Sequence, residues 1–240
     1  CTKDEGERML CFTNNSGPLF IIGSVGISLF GNSTIGFLLL FTHLLASISV
    51  GFLFRFWKKN DSKNFISSSS NIKNRTIKLS SLGEIIGNSI KSSINTILMI
   101  GGFVVLFSVI LSILKTSNLL NISCPSSKPR SSKYFMKPIF NFFRIPQTFY
   151  SGFISGIIEL TNGLNIICNI PEKNISINII IASFLLGLGG ISVLLQVWSC
   201  ISKTDLSITP YILGKILQAC FSALYTWIFI NIVPFLNFNL

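Results

Sequence analysis

The chain has 240 residues, of which 49% are apolar and 11% are charged, and its mean hydropathy is +0.65. This composition excludes an ordinary soluble domain and indicates an all-α integral membrane protein. The formal net charge is +11, but the lysines and arginines lie in the connections between apolar runs, where they act as topology signals. We therefore expect the lipid bilayer as a partner and no nucleic acid.

The first apolar run covers residues 9–54 without a charged residue, which is too long for one membrane crossing. A polar sequence at 31–34 divides this run and predicts two spans, at about 15–31 and 35–57. An Asn-Asn-Ser-Gly-Pro sequence stands where the first of these spans begins. Because proline and glycine break helices, we expect a broken membrane helix at this point.

Two basic connections separate the apolar runs. Residues 58–81 are rich in serine, asparagine and lysine and contain too few apolar residues to pack, which predicts a flexible loop. A second basic connection runs from residue 115 to about residue 144. Since both are basic, the positive-inside rule gives only a weak preference for placing the first loop in the cytoplasm.

The second half begins with residues 94–114, which predict a single crossing. Residues 140–171 contain proline, a glycine-rich middle and a Glu-Leu-Thr-Asn-Gly sequence, all unfavourable for a spanning helix. We expect this segment to enter and leave the membrane on one side, as a re-entrant hairpin with a turn at 159–163. Two further crossings are predicted at 175–200 and 208–233.

An internal repeat relates the two halves of the chain. A shift of 172 residues places Gly17 on Gly189, and after the following turn a shift of 175 residues places His43 on Gln218. One crossing and one re-entrant hairpin between the copies would start the second copy from the opposite face, giving an inverted repeat. If the hairpin segment crossed fully, the repeats would be parallel.

Both copies are predicted to contain an interrupted helix. Unsatisfied backbone groups persist inside a membrane only where they line a cavity or bind a solute, and a half-helix N-terminus suits an anion. Glu159 is an intramembrane carboxylate, which we expect to exchange a coupling proton or cation; the alternative is an interfacial residue beside an ordinary turn. We expect the substrate-binding residues to converge around one cavity near the membrane midplane; they are Asn14, Asn15, Ser16, Thr161, Asn162, Gly163, Gly189, Gly190 and Ser192.

Catalytic signatures do not occur: the sequence has no P-loop, dinucleotide turn, HExxH or Ser/His/Asp set, so we expect no enzyme and no cofactor. The six cysteines include no C-x-x-C pair, so no metal site is expected. Three side chains within reach of a span could offset the charge of an anionic solute: His43, Lys91 and Lys215. Both lysines are equally compatible with an interfacial position.

Three stretches carry a family resemblance: GERMLCFTNNSGPLFIIGSVGISLFG, GIIELTNG and FLLGLGGISVLLQVWSCISKTDLSITPYILGKILQA. They resemble the YlbJ or SpoVV family of sporulation integral membrane proteins, which carries the nucleoside-recognition Gate domain and is similar to concentrative nucleoside transporters. The resemblance implies an N-terminally truncated chain, with the first hairpin of the family upstream of Cys1. It implies the end of a first Gate repeat at 1–57, the loop at 58–81 and a second Gate repeat at 82–240.

The resemblance also implies a function. It suggests a carrier that moves dipicolinate, or a similar small organic anion, across the outer forespore membrane during sporulation. The family often has histidine where this chain has Gln218, which puts a proton role there in doubt. The alternatives are a permease for nucleosides or another polar solute, and a non-transporting scaffold of spore morphogenesis. The substrate, the coupling ion and a homo-oligomeric state stay open.

Overall fold

The computed structural model describes residues 2–57, 82–116, 149–171, 175–202 and 204–232. The predicted loop at 58–81 and the first part of the predicted hairpin, residues 140–148, lie outside these ranges. Most of the described residues are helical, and none of them lies in a strand. Their helices are α1 (Lys3–Thr13), α2 (Phe20–Leu29, a π-helix), α3 (Ser33–Phe54), α4 (Leu82–Thr116), α5 (Tyr150–Ile158), α6 (Leu160–Cys168), α7 (Ile175–Leu188), α8 (Gly190–Ile201) and α9 (Thr209–Ile232).

The prediction of an all-α integral membrane protein is confirmed. Within the described ranges, four segments are long and apolar enough to cross a membrane: Ser33–Phe54, Leu82–Leu114, Ile175–Ile201 and Thr209–Ile232. The fifth predicted crossing, at 15–31, contains only a short apolar helix, Phe20–Leu29, which is not long enough to cross a membrane by itself. Residues 14–17 are non-helical between α1 and α2, and the helix resumes at Pro18, because proline is favoured in the first turn of a helix and not in its interior.

Helix α3 begins at the polar sequence that was predicted to divide the first apolar run. Gly31 has a positive φ of 69°, and the side chain of Asn32 accepts a hydrogen bond from the backbone N–H of Thr34 at 2.8 Å. Asparagine in this position satisfies one of the N–H groups that the first turn of a helix leaves free. The chain therefore turns back here, and α2 and α3 form an antiparallel pair.

Helices α5 and α6 form a short antiparallel hairpin. A Cβ atom added to Gly163 would lie 2.1 Å from Cα of Gly156, and one added to Gly152 would lie 2.5 Å from Ile167, so the two helices run in opposite directions in close contact. Each helix has nine residues and is about 14 Å long, roughly half of a bilayer's hydrocarbon thickness. These dimensions agree with the predicted re-entrant hairpin.

The directions of the long helices follow from their contacts. In α1 and α3, Arg8 contacts Arg55 and Phe12 contacts Ser47, so these helices are antiparallel. Between α1 and α9 the residue numbers of the contacts rise together, because Gly214 packs on Cys11 and Gln218 donates to Asn15; the two helices are parallel.

The helices of the second copy run opposite to their counterparts in the first. Gly187 packs on Ala219 and Ser183 bonds to Ser222, so α7 and α9 are antiparallel. Helix α7 therefore runs opposite to α1, its counterpart under the 172-residue shift, and α9 runs opposite to α3. These are the directions that an inverted repeat requires.

Candidate functional site

The first helix break lies against α9. The side-chain nitrogen of Asn14 donates to the hydroxyl of Tyr211 at 2.8 Å, and the backbone carbonyl of Asn14 accepts from Nζ of Lys215. The side-chain oxygen of Asn15 accepts from Nε2 of Gln218 at 2.7 Å. Backbone and side-chain groups of the broken helix are thus bonded to one face of α9.

The same break also contacts α3. Nδ2 of Asn15 donates to Oγ of Ser47 at 3.0 Å, and the Nε2 atoms of His43 and Gln218 lie 3.5 Å apart. Nδ1 of His43 is buried and has no hydrogen-bond partner among the described residues. Ser16 is half-buried in the break. We call Asn14, Asn15, His43, Lys215 and Gln218 the lysine cluster.

Lys215 gives this cluster its electrostatic character. Its side chain is 5% exposed, and its ammonium donates to two neutral oxygens, the carbonyl of Asn14 and Oε1 of Gln218 at 2.9 Å. The ring of Tyr211 lies 5.8 Å from Nζ. Within the described residues no carboxylate pairs with Lys215, and the third ammonium proton has no acceptor. A buried cation without a counter-ion costs several kcal/mol, so this arrangement favours an anionic ligand.

A second group of polar residues surrounds the hairpin tip. The carboxylate of Glu159 accepts hydrogen bonds from the backbone N–H groups of Thr161 and Asn162, at 3.0 and 2.8 Å. It also accepts from the hydroxyl of Thr161 at 2.6 Å and from Nδ2 of Asn162 at 2.9 Å. Glu159 therefore caps the N-terminus of α6 with its own negative charge, a position that the helix dipole stabilises. We call Glu159, Thr161 and Asn162 the hairpin-tip cluster.

The predicted turn at 159–163 is wrong in extent. Glu159 alone is non-helical, and Leu160 to Gly163 form the first turn of α6. The reason is the capping carboxylate, which satisfies the free N–H groups of that turn and lets the helix begin immediately. Gly163 is consequently a packing residue against Gly156, where a Cβ atom has no room.

The break between α7 and α8 lies between the two clusters. Gly190 has a φ of 80°, and a Cβ atom added to it would lie 2.9 Å from the carbonyl oxygen of Gly156 in the hairpin. Three residues earlier, a Cβ atom on Gly187 would lie 2.9 Å from the carbonyl oxygen of Gln218. The glycine segment 187–190 thus touches the hairpin tip on one side and α9 on the other.

The structure brings the predicted site residues into two groups and not one. Asn14 and Asn15 belong to the lysine cluster, whereas Thr161, Asn162 and Glu159 lie at the hairpin tip beside Gly190. Ser192 is buried near the start of α8 and accepts a hydrogen bond from Gln196 at 3.3 Å. In the described part of the chain, no hydrogen bond joins the two clusters; Gly187 to Gly190 connect them through packing.

The sequence indicated no order of preference among the three candidates for offsetting an anion's charge, and the structure shows that they differ in burial. Lys91 lies exposed on α4, whereas Lys215 and His43 are buried in the lysine cluster. Tyr211 and Ser47 were not among the predicted site residues. The sequence did contain one signal for this cluster, the repeat shift that aligns His43 with Gln218. Two residues related by a two-fold axis can touch each other only at that axis, so their contact marks the place where the two copies meet. No group of three or more His, Cys, Asp or Glu side chains that could hold a metal occurs within the described residues.

The fold and these clusters define an integral membrane protein with helices broken at buried polar sites. The chain is 31% identical over 241 residues to the sporulation integral membrane protein YlbJ of Bacillus subtilis (strain 168), an alignment that covers 93% of this chain and 55% of that protein. On this similarity the chain belongs to the YlbJ family. It spans about half the length of the curated relative that it matches. No family model and no solved structure matches the chain.

Proposed function

We propose that this chain belongs to a sporulation membrane transporter that carries a small organic anion. The preferred substrate is dipicolinate, and the membrane that it crosses is the outer forespore membrane. Its similarity to a sporulation integral membrane protein supports a role at a membrane during sporulation. The choice of an anion rests on Lys215, a buried ammonium that donates to two neutral oxygens and has no further acceptor among the described residues. A carrier needs neither an enzyme's reactive groups nor a cofactor.

The lysine cluster is the preferred position for the anion. Dipicolinate has two carboxylates, and one of them would accept a charge-assisted hydrogen bond from the third N–H of the Lys215 ammonium. The N-terminus of α6 is less suitable, because Glu159 already occupies its free N–H groups. The nitrogen Nδ1 of His43 is a further buried polar atom, and it has no partner in the part of the chain that the structure describes. Recognition of charge is therefore assigned to α9 and the first helix break.

Glu159 is proposed to serve coupling. Its carboxylate accepts four hydrogen bonds in this conformation, so a proton or a cation bound to it would compete with the cap of α6. Loss of the cap would loosen the hairpin tip against Gly190. Coupling would then act through the hairpin conformation, and Thr161, Asn162, Gly189, Gly190 and Ser192 would respond to the solute through the same segment.

A nucleoside or another neutral polar solute is the second candidate. The amides of Asn14, Asn15 and Gln218, with the hydroxyl of Ser47, are neutral groups that suit hydroxyls and ring nitrogens. In this structure, however, most of them are bonded to one another. The free ammonium proton favours the anion.

Ligand-dependent unfolding of the full-length protein separates these candidates. We expect dipicolinate to raise the melting temperature, because a ligand that binds only the folded state stabilises it by about 2.7 kcal/mol at 100 times its Kd. Picolinate, which has one carboxylate, serves as the matched ligand and should stabilise less. Stabilisation by uridine or adenosine without any by dipicolinate would support the permease, and the absence of any ligand effect would contradict both candidates.

A further inference from the structure

A groove of about 490 Å³ opens between α1 and the C-terminal half of α3. Its wall is apolar and is formed chiefly by Met9, Phe12, Ile48 and Phe52, three of which are more than half exposed. Gly51 leaves the groove open, since a side chain there would contact the ring of Phe12.

Two arginines close one end of this groove. Arg55 directly follows the last residue of the α3 span, and Nη1 of Arg8 donates to the carbonyl oxygen of Arg55 at 3.5 Å. Because α1 and α3 are antiparallel, both guanidinium groups lie at the same end of the helix pair. The nearest carboxylate in the lining, Glu5, accepts from the backbone of Thr2. Glu5 also interacts electrostatically with Arg8, so the lining carries two guanidinium groups and one carboxylate and keeps a net positive charge.

We propose that this groove binds one anionic phospholipid. The phosphate would lie between Arg8 and Arg55, and one acyl chain would follow the apolar wall toward the membrane interior. Arginine recognises phosphate through paired N–H donors, and basic residues at the end of a span attract anionic headgroups. An acidic peptide would satisfy the arginines but would leave the exposed apolar wall without a matching partner. A phospholipid supplies both a phosphate for the arginines and an acyl chain for the apolar wall.

Native mass spectrometry of the full-length protein, exchanged into vesicles of phosphatidylcholine with 20% phosphatidylglycerol, tests this site. We expect wild-type protein to retain one phosphatidylglycerol after delipidation. The double variant Arg8→Gln/Arg55→Gln should bind it roughly 30-fold more weakly, from about fivefold per basic residue. Lys3→Gln is the matched control, because Lys3 is exposed on the same helix outside the groove; it should retain the lipid.

Four results would overturn the proposal. The double variant could retain phosphatidylglycerol as the wild type does, or Lys3→Gln could lose it equally, which would indicate bulk charge. Phosphatidylcholine could be retained equally well, which would exclude a role for the arginines in headgroup selection. Free glycerol phosphate could displace the lipid at millimolar concentration, which would exclude a role for the apolar wall.

Discussion

The hairpin tip and the first helix break each hold a charged side chain beside non-helical backbone, and they satisfy that charge to different extents. At the hairpin tip, Glu159 supplies a negative charge to the N-terminus of α6, and four donors satisfy that charge. At the first break, Lys215 supplies a positive charge that two neutral oxygens satisfy only in part. The hairpin tip is therefore electrostatically complete, and the lysine cluster is not.

This difference indicates which region is built to exchange a ligand. A charge fully bonded to its own helix contributes to folding, whereas a buried charge without a counter-ion lowers stability unless a ligand completes it. The glycine segment between the clusters contacts both, so a change at one can reach the other through direct packing. Substitutions in each cluster can separate a recognition role at the lysine cluster from a structural role at the hairpin tip.

The largest effect is expected for Lys215→Gln. The amide can still donate to Asn14 or Gln218, but the charge is lost, and a hydrogen bond to a charged group contributes about 1.5–3 kcal/mol. Dipicolinate affinity should fall about 10- to 150-fold, as measured by isothermal titration with the full-length protein. Lys91→Gln is the control, since Lys91 is exposed on α4; an equal loss there would remove Lys215 from the site.

Glycine substitutions compare the two breaks directly. Gly190→Ala should destabilise the protein by about 2 kcal/mol, because a positive φ strains alanine and the new Cβ atom would approach the carbonyl of Gly156. Gly17→Ala should stay within about 0.5 kcal/mol, since nothing lies within 4 Å of its Cβ position. Thermal unfolding in detergent measures both. Equal effects would show that the first break is packed as tightly as the second.

Much of this architecture was predictable because membrane helices obey simple constraints. Apolar length predicted the four segments that are long enough to cross a membrane but also a fifth that is too short; the Asn-Asn-Ser-Gly sequence at residues 14–17 and the glycines near Gly189 marked the helix breaks. The turn at 159–163 was mispredicted because glycine and asparagine favour turns locally, whereas the capping carboxylate of Glu159 starts α6 at once. Local composition does not show which backbone N–H groups a side chain will satisfy.

The separation of the site into two clusters could not be predicted from the sequence. Helix contacts over about 200 positions decide it, such as Lys215 on Asn14, and a lysine near a span end is more often interfacial than buried. The repeat alignment of His43 with Gln218 did indicate that these two residues occupy equivalent positions in the two copies. Their contact in the structure lies where the axis relating the two copies would pass.

Glu159→Gln should have an intermediate effect. The amide keeps one acceptor oxygen but presents its own N–H groups to the donors of Thr161 and Asn162, so we expect a loss of about 1–2 kcal/mol of unfolding free energy. If the carboxylate serves coupling, the pH or cation dependence of transport should change more than the affinity. Glu84→Gln, an exposed acid in the first turn of α4, is the control and should change neither.

The smallest effect is expected for Asn162→Ala. Nδ2 of Asn162 donates to Oγ of Ser108 at 2.9 Å and to Glu159, so its loss should cost about 0.5–1.5 kcal/mol of stability. A double-mutant cycle with Ser108→Ala should recover a coupling free energy, because the two side chains join α6 to α4.

The anion affinity of Asn162→Ala decides how far the two clusters act together. We expect a change of less than about fivefold, because the amide is already bonded at the hairpin tip and Lys215 keeps its charge, so at most about 1 kcal/mol of binding free energy is affected. Titration of dipicolinate into Asn162→Ala and Lys215→Gln under the same conditions makes the comparison. If the two variants lose affinity equally, the hairpin tip and the lysine cluster form one recognition site, and the glycine segment between them must move to bring them together.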